Sequence, residues 1–79
     1  MPIMRHMSTT LEQLRLTVNG EPLSLTRGTT LVGLLAELGL DVRKVAVERN
    51  REIVPRSTYA EVVLEDADAV EIVHFIGGG

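Results

Sequence analysis

Apolar and polar residues alternate at the start of the chain, with Leu14, Leu16 and Val18 on one side of the pattern, and they alternate again at Leu23 and Leu25. Period two marks half-buried strands, because successive side chains of an extended backbone point to opposite faces. Asn19-Gly20 lies between the two runs, and both residues tolerate the positive φ of a type I′ turn, so the chain is predicted to open as a β-hairpin. Pro22 has no N–H to give a ladder, which places the second strand at a sheet edge or turns that position outward. The period then changes: Leu31, Leu34, Leu35 and Leu38 fall at i, i+3, i+4 and i+7, one face of a helix. Thr29 or Thr30 suits its N-cap, and Gly39 followed by Leu40 suits a left-handed C-terminal cap. Gly33 inside it costs about 1 kcal/mol relative to Ala, which points to close packing on the sheet or to simple tolerance.

Beyond the helix, Val45 to Glu48 and Glu52 to Val54 read as strands around a turn at Arg49 to Arg51, and Pro55 closes them. The stretch RSTYAEVVL reads either as a short helical turn or, at Val62 to Leu64, as a brief extended segment. EDADA then turns the chain into a last strand, Val70 to Ile76. The order is ββαββ, and one helix laid across one face of a sheet is the economical way to bury those leucines. The predicted class is α+β, a ubiquitin-like β-grasp with a mixed sheet of four to five strands and one main helix packed on one face.

Composition narrows the chemistry. With 79 residues the chain is one domain with a small core, and since its aromatics are Tyr59 and Phe75 alone, aliphatic side chains must build that core. The absence of cysteine removes disulfides, thiolate metal sites and a catalytic thiol. A net charge of −3 and few aromatics argue against nucleic acid as a partner, because phosphate binding needs a basic excess and base stacking needs aromatic platforms. No apolar run is long enough to span a bilayer and none resembles a signal peptide, so no membrane partner is expected and the reading is a cytoplasmic protein. Residues 1–12 read as a disordered N-terminal arm whose three methionines, Met1, Met4 and Met7, leave open where native sequence starts and a cloning remnant ends. Residues 13–76 form the β-grasp domain and 77–79 a flexible glycine tail.

The final segment, VEIVHFIGGG, carries the chemistry. Gly77, Gly78 and Gly79 pack nothing, yet four residues from Ile76 reach about 13 Å when extended, and glycine passes a narrow channel that a Cβ would block. Such a tail offers a partner only backbone and a terminal carboxylate. That carboxylate, ionised above about pH 3.5, is a poor acceptor for nucleophiles until it is activated. An ATP-dependent adenylating enzyme would supply the activation as an acyl-adenylate, from which sulfur or an amine displaces AMP to give a thiocarboxylate or an amide. His74 has no partners for a catalytic triad or a metal site, and Ser57 and Tyr59 have no base beside them. No GxGxxG or Walker-type loop is present, so the chain itself is expected to bind no cofactor.

The element order, VAVERNREIVPR at 45–56, Tyr59, and DADAVEIVHFIGGG at 66–79 resemble the sulfur carrier proteins of thiamine biosynthesis, the ThiS family. The likeness covers Leu14 to Gly79. It implies a carrier and not an enzyme: an E1-like adenylyltransferase using ATP and magnesium activates the Gly79 carboxylate, a cysteine desulfurase or sulfur relay protein supplies sulfur, and the thiocarboxylate donates it to thiazole synthase. Gly77 lengthens the usual glycine pair, and Ala67 stands where many relatives have glycine. Val73 and Phe75 share the face of the last strand opposite Val70, Ile72 and His74, and this patch is expected to dock the adenylating enzyme and thiazole synthase. The basic group Arg43, Lys44, Arg49, Arg51 and Arg56 and the acidic group Glu61, Glu65, Asp66, Asp68 and Glu71 read as solvated faces, with steering of partners as the alternative. Two other functions fit the same tail: the small subunit of molybdopterin synthase, and a ubiquitin-like modifier conjugated through Gly79. A pure interaction module that uses only the sheet face is the remaining alternative.

Overall fold

The predicted first hairpin forms: β1 (Gln13–Val18) pairs antiparallel with β2 (Glu21–Thr26) through a register that sets Leu14 against Leu25 and Leu16 against Leu23. These and all later statements refer to a computed structural model that describes residues 12–75. Asn19 and Gly20 have φ of 52° and 85°, the paired positive values of a type I′ turn. Pro22 sits on β2, and β2 is the outer strand on its side of the sheet, where the missing N–H leaves no gap in a ladder.

The helix α1 spans Leu31–Glu37. Its exposed first amides are all answered: Leu31 N–H donates to the Val62 carbonyl, Val32 N–H to that of Tyr59, and Gly33 N–H to Thr30 Oγ1 at 3.1 Å. The C-terminus closes with Leu40 N–H on the Leu35 carbonyl and Gly39 N–H on that of Ala36, Gly39 taking φ of 73°, a Schellman motif. Two expectations need correction. Leu38 is 41% exposed because the helix has already closed before that residue comes round to the core. Gly33 is crowded by Thr29 Cγ2, 3.2 Å from where a Cβ would sit, so its neighbour is the capping segment and not the sheet.

After a 3₁₀ turn at Val42–Lys44, capped by Asp41, β3 (Val45–Arg49) and β4 (Glu52–Ile53) form the second hairpin. A second 3₁₀ turn at Arg56–Thr58 realises the helical alternative for RSTYAEVVL, while a bridge between Thr30 and Val63 realises the extended one. β5 (Ala69–His74) completes a five-stranded sheet in the order β2-β1-β5-β3-β4. The β1–β5 pair is parallel and the others are antiparallel, so the sheet is mixed, as expected, and the two-residue β4 is its fifth strand.

One face of this sheet carries the helix. Leu14, Leu16, Leu25, Val45, Val47 and Val70 form the buried cluster with Leu31, Leu34 and Leu35 of α1 and with Tyr59 and Leu64. Each fully buried leucine or valine contributes about 1.5–3 kcal/mol relative to exposure, so this aliphatic layer is the main source of stability. On the opposite face Glu48, Glu71, Val73 and Phe75 are exposed.

Candidate functional site

The strand that leads to the glycines lies in the interior of the sheet, between β1 and β3, and is held from both sides. On the β3 side the register runs from Arg49–Val70 to Val45–His74, and Phe75 N–H adds a 2.8 Å bond to the Lys44 carbonyl. On the β1 side only Thr17–Ala69 and Val18–Val70 pair, because β1 then turns back into β2. Asn19 extends that pairing with its side chain: Ile72 N–H donates to Asn19 Oδ1 at 2.7 Å, and Asn19 Nδ2 donates to the Ile72 carbonyl at 3.3 Å. The residue that makes the first turn thus also stands in for a missing strand residue.

The second hairpin turn grips the beginning of β5. Asn50 and Arg51 take φ of 53° and 72°, again type I′ values, although Arg51 gives no sequence signal for them. Ala69 N–H donates to Asn50 Oδ1 at 2.9 Å, and Asn50 N–H donates to the Ala69 carbonyl at 2.8 Å. Beside them Asp68 is 5% exposed and accepts from Arg49 Nε at 2.8 Å, Asn50 Nδ2 at 3.0 Å and the Glu65 N–H at 2.8 Å. Burial pushes the Asp68 carboxyl up, but the bonds from Asn50, Glu65 and Arg49, with the guanidinium charge, outweigh it and hold the group below its ordinary value. Arg49 and Asp68 were read as members of solvated faces; instead they pair across the sheet end, because three donors converge on one carboxylate. Arg56 likewise departs from that reading, donating to the carbonyls of Val42 and Val45.

The turn before β5 has its own constraint. Ala67 has φ of 68°, the left-handed region where glycine is favoured, which is the geometry expected if relatives carry glycine there. Its N–H donates to the Arg15 carbonyl at 2.7 Å, while Asp66 accepts from Arg15 N–H and Arg27 Nη2, interactions that lower its pKa.

Along β5 the side chains divide as the alternation predicts. Val70 is buried and Ile72 half-buried beneath α1, whereas Glu71, Val73 and Phe75 face away from it, with Val73 61% and Phe75 51% exposed. His74 is exposed, and among the described residues no group of His, Asp and Glu could hold a metal. The sequence reading missed Ile53. It is 78% exposed and shares the face of Val73, since Glu48 pairs with Ile53 on one side and with Glu71 on the other. Its alternation with Val54 in the predicted strand Glu52 to Val54 was the available signal. Gly77, Gly78 and Gly79, named as the reactive tail, lie outside the described residues, as do residues 1–11 of the N-terminal arm. Among the described residues no helix is long and apolar enough to cross a membrane.

Known proteins place this geometry. The ThiS family model matches residues 9–79, which include the whole glycine run. The chain is 56% identical over 66 residues to a thiazole synthase of Paramagnetospirillum magneticum, a match covering 84% of this chain and 20% of that protein. It is 46% identical over 65 residues to the sulfur carrier protein ThiS of Bacillus subtilis, covering 81% of this chain and 98% of that one. The chain therefore spans about a fifth of the thiazole synthase it matches and nearly all of the carrier. The crystal structure of the thiamine biosynthesis protein ThiS from Geobacter metallireducens superimposes with a TM-score of 0.72 at 35% identity, covering 84% of this chain and 100% of that one.

Proposed function

The chain belongs to the ThiS family, and from that premise we propose that it is a sulfur carrier of thiamine biosynthesis whose reactive group is the carboxylate of Gly79. The observation that carries the reading is the reach of the family match through the three glycines that follow the last strand. The chain is then a protein co-substrate and not an enzyme. An E1-like adenylyltransferase with ATP and magnesium lets a Gly79 carboxylate oxygen attack the α-phosphate, and pyrophosphate leaves. The outer sulfur of a persulfide on a cysteine desulfurase or a relay protein displaces AMP to give an acyl disulfide. A second thiol of the donor or the adenylyltransferase then attacks the donor's own sulfur, which leaves as a disulfide, and the freed thiocarboxylate passes its sulfur to thiazole synthase.

The fold serves this chemistry by presentation. β5 is fixed by β3 up to Phe75 and by Asn19 on its other edge, so the strand that leads to the glycines is held in a defined position. Val73 and Phe75, on the uncovered face beside that departure point, supply the docking patch. The likeness of part of a thiazole synthase to this chain supports that enzyme as a partner.

Incubation with an adenylyltransferase, ATP, magnesium and a persulfide donor, followed by intact-mass measurement, tests the proposal. One terminal oxygen should be exchanged for sulfur in the full chain and in none of the chains lacking Gly78 and Gly79. Lysine-linked conjugates in place of a free thiocarboxylate would support the modifier reading instead. Rescue of molybdenum-cofactor-deficient but not thiamine-requiring cells would support the molybdopterin synthase subunit.

A further inference from the structure

We infer that Glu48 and Glu71, set among Ile53, Ala46 and Val73 on the sheet face opposite α1, form the recognition point for a basic side chain on an otherwise apolar surface of thiazole synthase; this rests on the carrier reading and adds to it the charge that the patch selects. Glu48 and Glu71 are directly opposed cross-strand partners in β3 and β5, and both are exposed. Like charges in that position destabilise a sheet, so the pair works against the fold that carries it. Among the described residues neither glutamate carboxylate belongs to an ion pair or accepts a hydrogen bond. Apolar side chains surround them in two rows: Ile53 pairs with Glu48, and Ala46 with Val73. Together they line a shallow groove of about 430 Å³, with Arg51 at its turn end.

An exposed, largely apolar surface with two carboxylates at its centre and a single arginine, Arg51, at its end keeps an acidic excess, which matches a partner that brings one lysine or arginine inside an apolar rim. Closing such an interface removes water from the charges, which strengthens the attraction and makes it selective against neutral or acidic surfaces. A second copy of this chain is the poorer occupant, since a two-fold contact of the face with itself sets four carboxylates together. Continuity with Val73 and Phe75 places the contact beside the departure point of the glycine tail. Thiazole synthase is the partner to which the comparisons lead, because a protein of that name contains a segment like this chain within its own sequence.

The test is titration of the full chain against a purified thiazole synthase at low and high salt. Reversing both charges, Glu48→Arg with Glu71→Arg, should weaken binding by about tenfold or more, measured where thermal unfolding shows the variant folded, since Arg51 at the groove's end adds repulsion to the reversed pair. Glu48→Gln with Glu71→Gln should raise the unfolding temperature, weaken binding less, and remove most of its salt dependence. Reversal at Glu61 and Glu65, exposed residues outside β3 and β5, should change neither. Equal binding by the doubly reversed chain, no binding by the unaltered chain, or self-association through this face at assay concentrations would each overturn the inference. Sulfur acquisition with the adenylyltransferase is measured on the same chains: if it occurs while any of those results holds, only the docking inference falls, whereas its absence from the unaltered chain removes the carrier reading.

Discussion

The two ends of β5 are built by opposite rules. At its start, Asp68 is buried and receives three donors, Val70 is sealed in the core, and Asn50 of the second hairpin turn bonds to the Ala69 backbone. At its end, Val73 and Phe75 face solvent, and the β3 ladder with the Lys44 carbonyl provides the hold. Substitution at the start should therefore cost stability and leave surface recognition alone, while substitution at the end should do the reverse. A strand that divides in this way can be fixed in place and still offer its far end to another protein.

The largest effect is expected at Asp68. Replacing it with Ala strands Arg49 and Asn50 without their acceptor and should cost about 2–3 kcal/mol in denaturant unfolding, with thiocarboxylate formation retained under conditions where the variant is folded. A loss below about 0.5 kcal/mol would erase the contrast between the two ends. The same carboxylate gives the contrast a pH signature. Its folded pKa lies below the unfolded value near 3.9, so its contribution is fully present above that value and is lost as pH falls through the folded pKa. The stability deficit of Asp68→Asn should accordingly be constant near neutral pH and shrink below about pH 3.9; a deficit that grows on acidification contradicts the assignment.

A smaller effect sharpens the same region. Ala67→Gly relieves a left-handed φ of 68° and should stabilise the chain by about 0.5–1 kcal/mol, visible as a raised unfolding midpoint. At the other end, the paired change Val73→Ser and Phe75→Ser should alter stability by about 0.5 kcal/mol or less while weakening partner binding, since both side chains already meet solvent. Unfolding of that double variant would show that the patch belongs to the core after all.

How much of this division was legible in the sequence follows from the range of each interaction. Asn19-Gly20 announced its turn because two adjacent residues specify the geometry, and Pro22 announced an edge because a proline cannot sit in a ladder interior. Leu31, Leu34 and Leu35 were found by spacing, whereas Leu38 was not excluded, because spacing does not say where the cap closes. The outward face of Val73 and Phe75 was likewise a matter of alternation. The clamp on Asp68 was hidden, since Arg49 stands 19 residues away and charges at that separation read as solvated until the sheet brings them together. The turn at Arg49 to Arg51 was placed by the strand runs on either side, but its left-handed geometry was hidden for a different reason: arginine carries no preference for positive φ, and its conformation is imposed by the ladder on either side and by the bonds of Asn50 to Ala69.

The most direct test of the central claim, that the glycine terminus is the reactive group and the β-grasp its support, compares the full chain with one lacking Gly78 and Gly79 in two assays on the same samples. Both should unfold at nearly the same temperature, and only the full chain should gain sulfur by intact mass when given ATP, magnesium, the adenylyltransferase and a persulfide donor. Sulfur gained by the shortened chain, or its marked destabilisation, would contradict the account.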